Sequence, residues 1–305
     1  PDKVLKEYGS EILRLWVAMS DYQSDLKISD NILKQNAELY RKIRNTARFL
    51  LANVSDLEEI VSVDKMGPLD KWVVSKAKKV FDEIEASFNV YEFSKGLNKL
   101  NNFLVVDLSG IYLDVCKDRL YCDDKNDIHR LASQSAMALI AKKLISTMAP
   151  ILTYTMDELL EYSPAILKGD CVDIFDFKKV ELPVIDIYSE EQFIKDSLLL
   201  EAKEKFSEIK DFLTKEKVIK STLELAIYTN ADDLLELGKV EMADWFSVSN
   251  FGDIKEQDSA EYSSFSIVAQ KFIICKSRMH KCPRCWKYTA AKEETLCQRC
   301  DEVLN

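Results

Sequence analysis

Four of the eight cysteines in this 305-residue chain fall within 19 residues near its C-terminal end, as Cys282-x-x-Cys285 in HKCPRCWKY and Cys297-x-x-Cys300 in LCQRC. A C-x-x-C turn brings two thiolates to one side and lets its backbone N–H groups point at the sulfurs. Two such turns, eleven residues apart, supply four soft ligands in a tetrahedron with no open position, the arrangement of a structural zinc site. Soft sulfur disfavours magnesium and calcium, and iron is the main chemical competitor. The spacing therefore predicts one structural Zn2+ held by Cys282, Cys285, Cys297 and Cys300. Redox dithiols fit less well, because such motifs usually begin a helix of a βαβ unit and these occupy a polar tail. A tail this short cannot bury enough apolar surface to fold alone, and metal binding supplies the missing free energy. His280 reads as a solvent-facing neighbour of the site, and Cys275 as a small hydrophobe ending a strand.

Cys116, Cys122, Cys171 and Cys275 are scattered singly, and the opening PDKVLKEYGSEILRLW carries no apolar leader. Reduced thiols in a cytoplasmic setting are the expectation. That opening has no Met and reads as mid-helix, as expected of a piece of a longer chain. No run of about 18 apolar residues occurs, so no membrane partner is expected. The net charge of −10 argues against polyanion binding over the whole surface. Charge is nevertheless local. Residues 271–300 hold eight Lys or Arg against two Glu, and residues 32–53 hold five against one.

Seven Gly and six Pro in the whole chain point to long helices rather than many tight turns. A helix is predicted from Ser29 or Asp30 to about Asn53, with Ile32, Leu39, Ile43 and Leu50 on one stripe and Arg41, Asn45 and Arg48 opposite. MGPLD (66–70) reads as a turn before a helix starting near Leu69. Phe93, Leu97, Leu100, Leu104, Leu108, Ile111 and Val115 mark a second long apolar face, and Asp127 to Ala149 a third helix. CVDIF, PVIDIY, STLELAIYT, WFSVSNF and FSIVAQKFIICKS read as strands. Trp16, Trp72 and Trp245 read as structural. The fold class is mainly α: a helical bundle, then a small α+β unit, then a four-cysteine zinc-binding module at the C-terminal end. The expected domains are a junction segment 1–29, a helical domain 30–185, an α+β domain 186–277 and a zinc module 278–305.

Around the knuckles, Arg284, Trp286, Lys287, Tyr288 and Arg299 mix cations with aromatics. Such a mix suits phosphate contact with base stacking; equally, Trp286 could pack over the knuckle while the charges confer solubility. Arg41, Asn45 and Arg48 combine phosphate-binding cations with an amide able to read a base edge, or form an ordinary solvated face. No nucleophile–base pair, phosphate-cradling glycine loop or open metal site is visible, and His129 reads as a helix-start residue.

YGSEILRLWVAMSDYQSDLKISDNILKQNAELYRKIRNTARFLLAN (8–53) resembles the segment that follows the catalytic domain in isoleucyl-tRNA synthetases, class I ligases. NNFLVVDLSGIYLDVCKDRLY (101–121) and MAPILTYTMDELLEY (148–162) resemble that family's helical anticodon-binding domain. KVIKSTLELAIYT is similar to the α+β segment that follows, and KCPRCWKY…LCQRC to the bacterial-type zinc module. The resemblance spans nearly the whole chain. It departs where the family more often has a glycine after the Ile of KVIKSTLELAIYT, and where KSRMHK replaces a Glu-Gly-type approach to the first cysteine. The family's HIGH-type and KMSKS-type ATP-site motifs and its editing domain are absent.

The resemblance implies a monomeric portion of an ATP-dependent isoleucine–tRNA ligase that holds tRNA(Ile) by its anticodon stem-loop, with no catalytic residues and no DNA partner. Arg41, Arg44, Asn45, Arg48, Arg284, Trp286 and Lys287 are its expected tRNA contacts. ATP would act only in the full-length enzyme. A zinc-stapled helical scaffold that binds proteins is the alternative.

Overall fold

A computed structural model describes residues 2–23, 25–26, 28–185, 190–257 and 259–305, with 190–196 given by their backbone alone. The chain forms two compact units that interleave in sequence. One holds the chain up to Met66, then Asp70–Asp114 and Leu131–Ile185; the other holds Gly67–Leu69, Val115–Arg130 and the chain beyond Ile185. The mainly α architecture with small sheets agrees with the sequence reading. No helix among the described residues is long and apolar enough to cross a membrane.

The first unit is helical: α1 (Asp2–Tyr8), α2 (Ser10–Met19), α3 (Asp30–Asn53), α4 (Pro68–Asn89, from Asp70), α5 (Phe93–Asn102), α7 (Ile128–Met148, from Leu131), α8 (Thr153–Glu161) and α9 (Ala165–Lys168). α3 starts where its cap predicts. Ser29 is extended, and its hydroxyl accepts the Ile32 N–H at 3.3 Å, satisfying one of the first-turn donors that lack a helical partner. Leu33, Leu39, Ile43, Ala47 and Leu50 are buried, whereas Ile32 is only half-buried, so the core stripe begins one residue later than expected. α4 opens on Pro68, whose missing N–H costs nothing at the first helical position.

α7 is buried nearly all round, which identifies it as the central helix of this unit. Several of its polar side chains find partners. Ser133 donates to Asp70 at 2.9 Å, as does Tyr112 at 2.7 Å. Gln134 donates to the Asn53 carbonyl at 2.8 Å, and Lys143 to the Val180 carbonyl at 2.8 Å and to Glu85.

Between α5 and α6 (Asp114–Cys122), residues Phe103–Leu113 wind as a π-helix. More residues per turn move the apolar face. Leu104 and Leu108 are buried as expected, but Tyr112 and Leu113 take the inner position predicted for Ile111, which is only half-buried.

The second unit contains α6 from Val115, α10 (Glu190–Lys215), α11 (Asp232–Glu236), α12 (Lys239–Phe246), α13 (Gln298–Leu304) and two sheets. Strands β1 (Leu225–Thr229), β2 (Asn250–Asp253), β3 (Glu261–Ile267) and β4 (Gln270–Lys276) lie in the order β2-β1-β4-β3. β1 runs parallel to β2, with Ile227 opposite Phe251, and antiparallel to β4, with Ile227 opposite Ile274. β1 and β4 are inner strands, and successive residues of each are buried, as expected where both faces are covered. β5 (His280–Lys281) and β6 (Tyr288–Ala290) form a separate ribbon.

Several strand expectations change. CVDIF is a turn, because aspartates capture the N–H groups a neighbouring strand would need. Phe175 N–H donates to Asp173 at 2.8 Å, Val172 N–H to Asp176 at 3.3 Å and Ile174 N–H to Asp157 at 2.9 Å. Of PVIDIY, residues 183–185 form no strand, and 186–188 lie outside the described residues. STLELAIYT becomes a strand only at Leu225, since Ser221 caps a tight turn over Thr222–Glu224. In WFSVSNF, Trp245 and Phe246 end α12, Ser247 takes the left-handed cap with φ 54°, and the strand starts at Asn250. FSIVAQKFIICKS is a hairpin, β3 and β4, turning at Val268 and Ala269.

Candidate metal centre and nucleic-acid interface

The two knuckles close on one another. The sulfurs of Cys282, Cys285, Cys297 and Cys300 all lie within 4.8 Å of one another, and all four residues are buried. Cys285 and Cys297 Sγ are 3.7 Å apart, matching the roughly 3.8 Å edge of a tetrahedron built on ~2.3 Å zinc–sulfur bonds. The first knuckle is locked by Cys282 N–H donating to the Lys287 carbonyl at 2.9 Å and Trp286 N–H to the Cys282 carbonyl at 3.0 Å, which puts Trp286 at φ 65°. Cys297 N–H donates to Cys282 Sγ at 3.4 Å.

Burial alone would push the Cys282 thiol up, but the N–H groups of Cys285, Cys297 and Arg284 bring it down to about 6. Cys285 is held well above its ordinary value, first by burial and then by the charges of Cys297 and Cys300. Four thiols this close favour a divalent cation that lets all of them ionise. The donor set therefore fits a closed, structural, soft-ligand metal site.

Around it, the cations separate into two groups. Lys287 is 8 % exposed, with its ammonium 2.6 Å from Asp244 and 3.0 Å from Asp118. Arg284 donates to the Cys122 carbonyl at 2.5 Å and to Cys300 Sγ at 3.4 Å. Arg299 grips Asp118 at 2.6 and 3.0 Å and Asp123 at 3.1 Å. Arg119, buried on α6, pairs with Glu241 at 2.7 Å and Asp244 at 3.1 Å. These side chains tie the knuckles to α6 and α12.

The carboxylates respond unequally. Burial would raise Asp118, yet Arg299 and Lys287 hold it down to about 2. Burial raises Asp123 to about 6 despite Arg299, with Asp118 adding to the rise.

The second group joins Trp286, His280 and Tyr288, which the sequence singles out, with Lys276, Arg278, Met279 and Lys281, which it does not. Trp286 is 62 % exposed. Lys281 lies 5.6 Å from its ring centroid, a cation–π distance. Lys276, Arg278, His280, Lys281, Trp286 and Tyr288, together with Glu293 and Glu294, are among the residues that line an open groove of about 710 Å³. The local excess of lysine and arginine was visible in sequence; which of them face solvent was not.

On the helical unit, α3 presents Arg41, Asn45 and Arg48 to solvent, opposite its buried stripe as the periodicity predicts. Arg41 is paired with Glu38 one turn earlier. Arg44 differs: it is half-buried and donates to both oxygens of Glu158 on α8 at 2.7 Å. Tyr40 shares a 2.9 Å hydrogen bond with Thr155, which also bonds to the buried Glu11. Arg44 is thus engaged in holding α3 against α8.

A family model described as the anticodon-binding domain of tRNA ligase matches residues 70–233. The chain is 75 % identical over 304 residues to the isoleucine–tRNA ligase of Aliarcobacter butzleri (strain RM4018), covering 100 % of this chain and 32 % of that protein. It is 56 % identical over 305 residues to the isoleucine–tRNA ligase of a Nitratiruptor species, with the same coverages. The chain therefore spans about a third of the length of the curated relatives it matches.

Proposed function

Because the chain belongs to the family of anticodon-binding domains of tRNA ligases, we propose that it is the tRNA-holding portion of an isoleucine–tRNA ligase. In this reading the rest of the enzyme joins isoleucine to tRNA at the expense of ATP. This portion grips the anticodon stem-loop so that the acceptor end reaches the distant chemistry. The observation that carries the reading is whole-chain identity of 75 % and 56 % to isoleucine–tRNA ligases.

The exposed stripe Arg41, Asn45 and Arg48 supplies cations for phosphate and an amide for a base edge. Trp286 supplies a stacking plane on the metal module, with Arg278 and Lys281 as its phosphate-binding neighbours. Arg44, Arg284 and Lys287 serve these surfaces indirectly, by fixing the elements that carry them. The ion on Cys282, Cys285, Cys297 and Cys300 is zinc. When bound it supplies folding free energy and no chemistry on substrate. The protein acts in the cytoplasm as a monomer.

Binding of tRNA(Ile) transcripts across a salt series tests this. Affinity should fall steeply with salt as condensed counterions are released, and a scrambled anticodon loop should bind more weakly. A chain that shifts no tRNA at low salt would instead be a protein-binding scaffold.

A further inference from the structure

Arg284 lies between the two cysteines of the first knuckle and reaches both knuckles. Its backbone N–H points at the sulfur of Cys282. Its half-buried guanidinium donates to the sulfur of Cys300, in the second knuckle, at 3.4 Å. The same nitrogen donates at 2.5 Å to the carbonyl of Cys122, the last residue of α6. Cys122 packs into one buried cluster with the four ligand cysteines. One side chain thus meets a ligand sulfur and the helix that the knuckles rest on.

Charge makes this contact more than a tether. Four thiolates around a divalent ion leave two negative charges in excess, and all four cysteines are buried. Taking such charge out of water is costly unless it is paired or hydrogen-bonded. Backbone N–H groups of Cys285, Cys297 and Arg284 serve Cys282, and that of Lys287 serves Cys285. Those donors carry only partial charge. The donor on Cys300 is a full cation, and a hydrogen bond from an ionised group is roughly twice as strong as a neutral one. The neighbouring cations Lys287 and Arg299 are engaged by Asp118, Asp123 and Asp244.

We infer that Arg284 governs how tightly the knuckles keep their metal: its guanidinium is the charge partner of the Cys300 sulfur, and without it Cys300 becomes the first ligand to let go. Arg284 is a positioning residue, acting on the metal through Cys300. Hydrogen bonds from the residues behind metal ligands orient those ligands and tune their hold on the ion. They also draw electron density from a thiolate, so a sulfur stripped of its donor becomes a better nucleophile. An ammonium carries the same charge and three donors, enough for both acceptors. The inference rests on the reading of the four cysteines as a zinc site and deepens it, and its readouts need no tRNA.

The test uses the whole chain loaded with Zn2+ and titrated with a chromophoric chelator. Arg284→Met, uncharged and without a donor, should lose about 10–100-fold in zinc affinity. Saturated with Co2+ instead, it should still show the thiolate-to-cobalt absorption of four sulfur ligands. Arg284→Lys should recover most of the lost affinity. Arg299→Met removes a tie to α6 but no hydrogen bond to a sulfur, so it should lower the melting temperature and leave zinc affinity close to that of the unchanged chain. Iodoacetamide and peptide mapping should find Cys300 modified ahead of the other three ligands in zinc-loaded Arg284→Met. The role of Arg284 is overturned, while the zinc site stands, if Arg284→Met keeps zinc as tightly as the unchanged chain. The same holds if Arg284→Lys or Arg299→Met loses zinc as readily as Arg284→Met, if the four-sulfur spectrum is lost, or if another ligand is alkylated first. If the unchanged chain holds no stoichiometric zinc, the zinc reading and this inference both fall.

Discussion

Trp286 and Lys287 are adjacent in the first knuckle and point to opposite fates. The left-handed turn at Trp286 sends its ring into solvent, and the next residue turns inward to Asp118 and Asp244. Removing the ammonium leaves two carboxylates buried with less compensation. Lys287→Ala should therefore destabilise the protein by about 3–5 kcal/mol, read as a lowered urea midpoint. Trp286→Ala should leave stability within about 0.5 kcal/mol and weaken tRNA binding instead. The gathering of Cys282, Cys285, Cys297 and Cys300 into one cluster was legible in sequence, because two C-x-x-C turns at this spacing can close on one another. Lys287 was not separable from Arg278 or Lys281, since its burial depends on Asp118, far away on α6. Arg44 was hidden for the same reason: Glu158, its partner, lies 114 residues further along the chain.

At the scale of elements, helices were read well and strands poorly. A helix such as α3 announces itself through its own cap and periodicity, whereas a strand is completed by neighbours and ended by turns whose residues need not be glycine. The β3–β4 turn shows this. Val268 sits there fully exposed at φ 53°, a backbone conformation that β-branched residues avoid. Val268→Gly should raise stability by about 1 kcal/mol, measurable as a shifted denaturation midpoint. The loop after α6 yields a pH prediction. Asp123 rises from its ordinary 3.8 to about 6 on folding, so the folded state holds its proton where the unfolded chain has released it. That contribution favours folding in acid and is lost as pH climbs between those two values. Asp123→Asn, always neutral, should stabilise the protein by about 2 kcal/mol near pH 8 and hardly at all near pH 4, as pH-resolved thermal melts would reveal.

For the molecule as a whole, the order of helical, mixed and cysteine-rich regions was readable from one end of the sequence to the other, but the way they share segments was not. Residues 115–130 are far richer in charge than the helices on either side, but charge alone does not say which unit a segment joins. Its membership of the second unit follows from Arg119, Asp118 and Asp123 meeting partners on α12 and α13. The metal tests that connection. Cys297→Ser should abolish stoichiometric zinc by elemental analysis and loosen the knuckles. In the full-length ligase it should lower tRNA charging while isoleucine–ATP exchange persists. Equal loss of both activities would contradict a role on the tRNA side.

The bond between Asp118 and Arg299 joins positions 181 residues apart. A ribosome adding about 5–20 residues per second needs roughly 10–40 s to deliver the second partner after the first. Throughout that interval Val115, Cys116 and Leu120, all buried in the finished protein, have no C-terminal unit to cover them. Yield in the cell should accordingly depend on elongation speed and chaperone supply more than on the equilibrium stability of the completed chain.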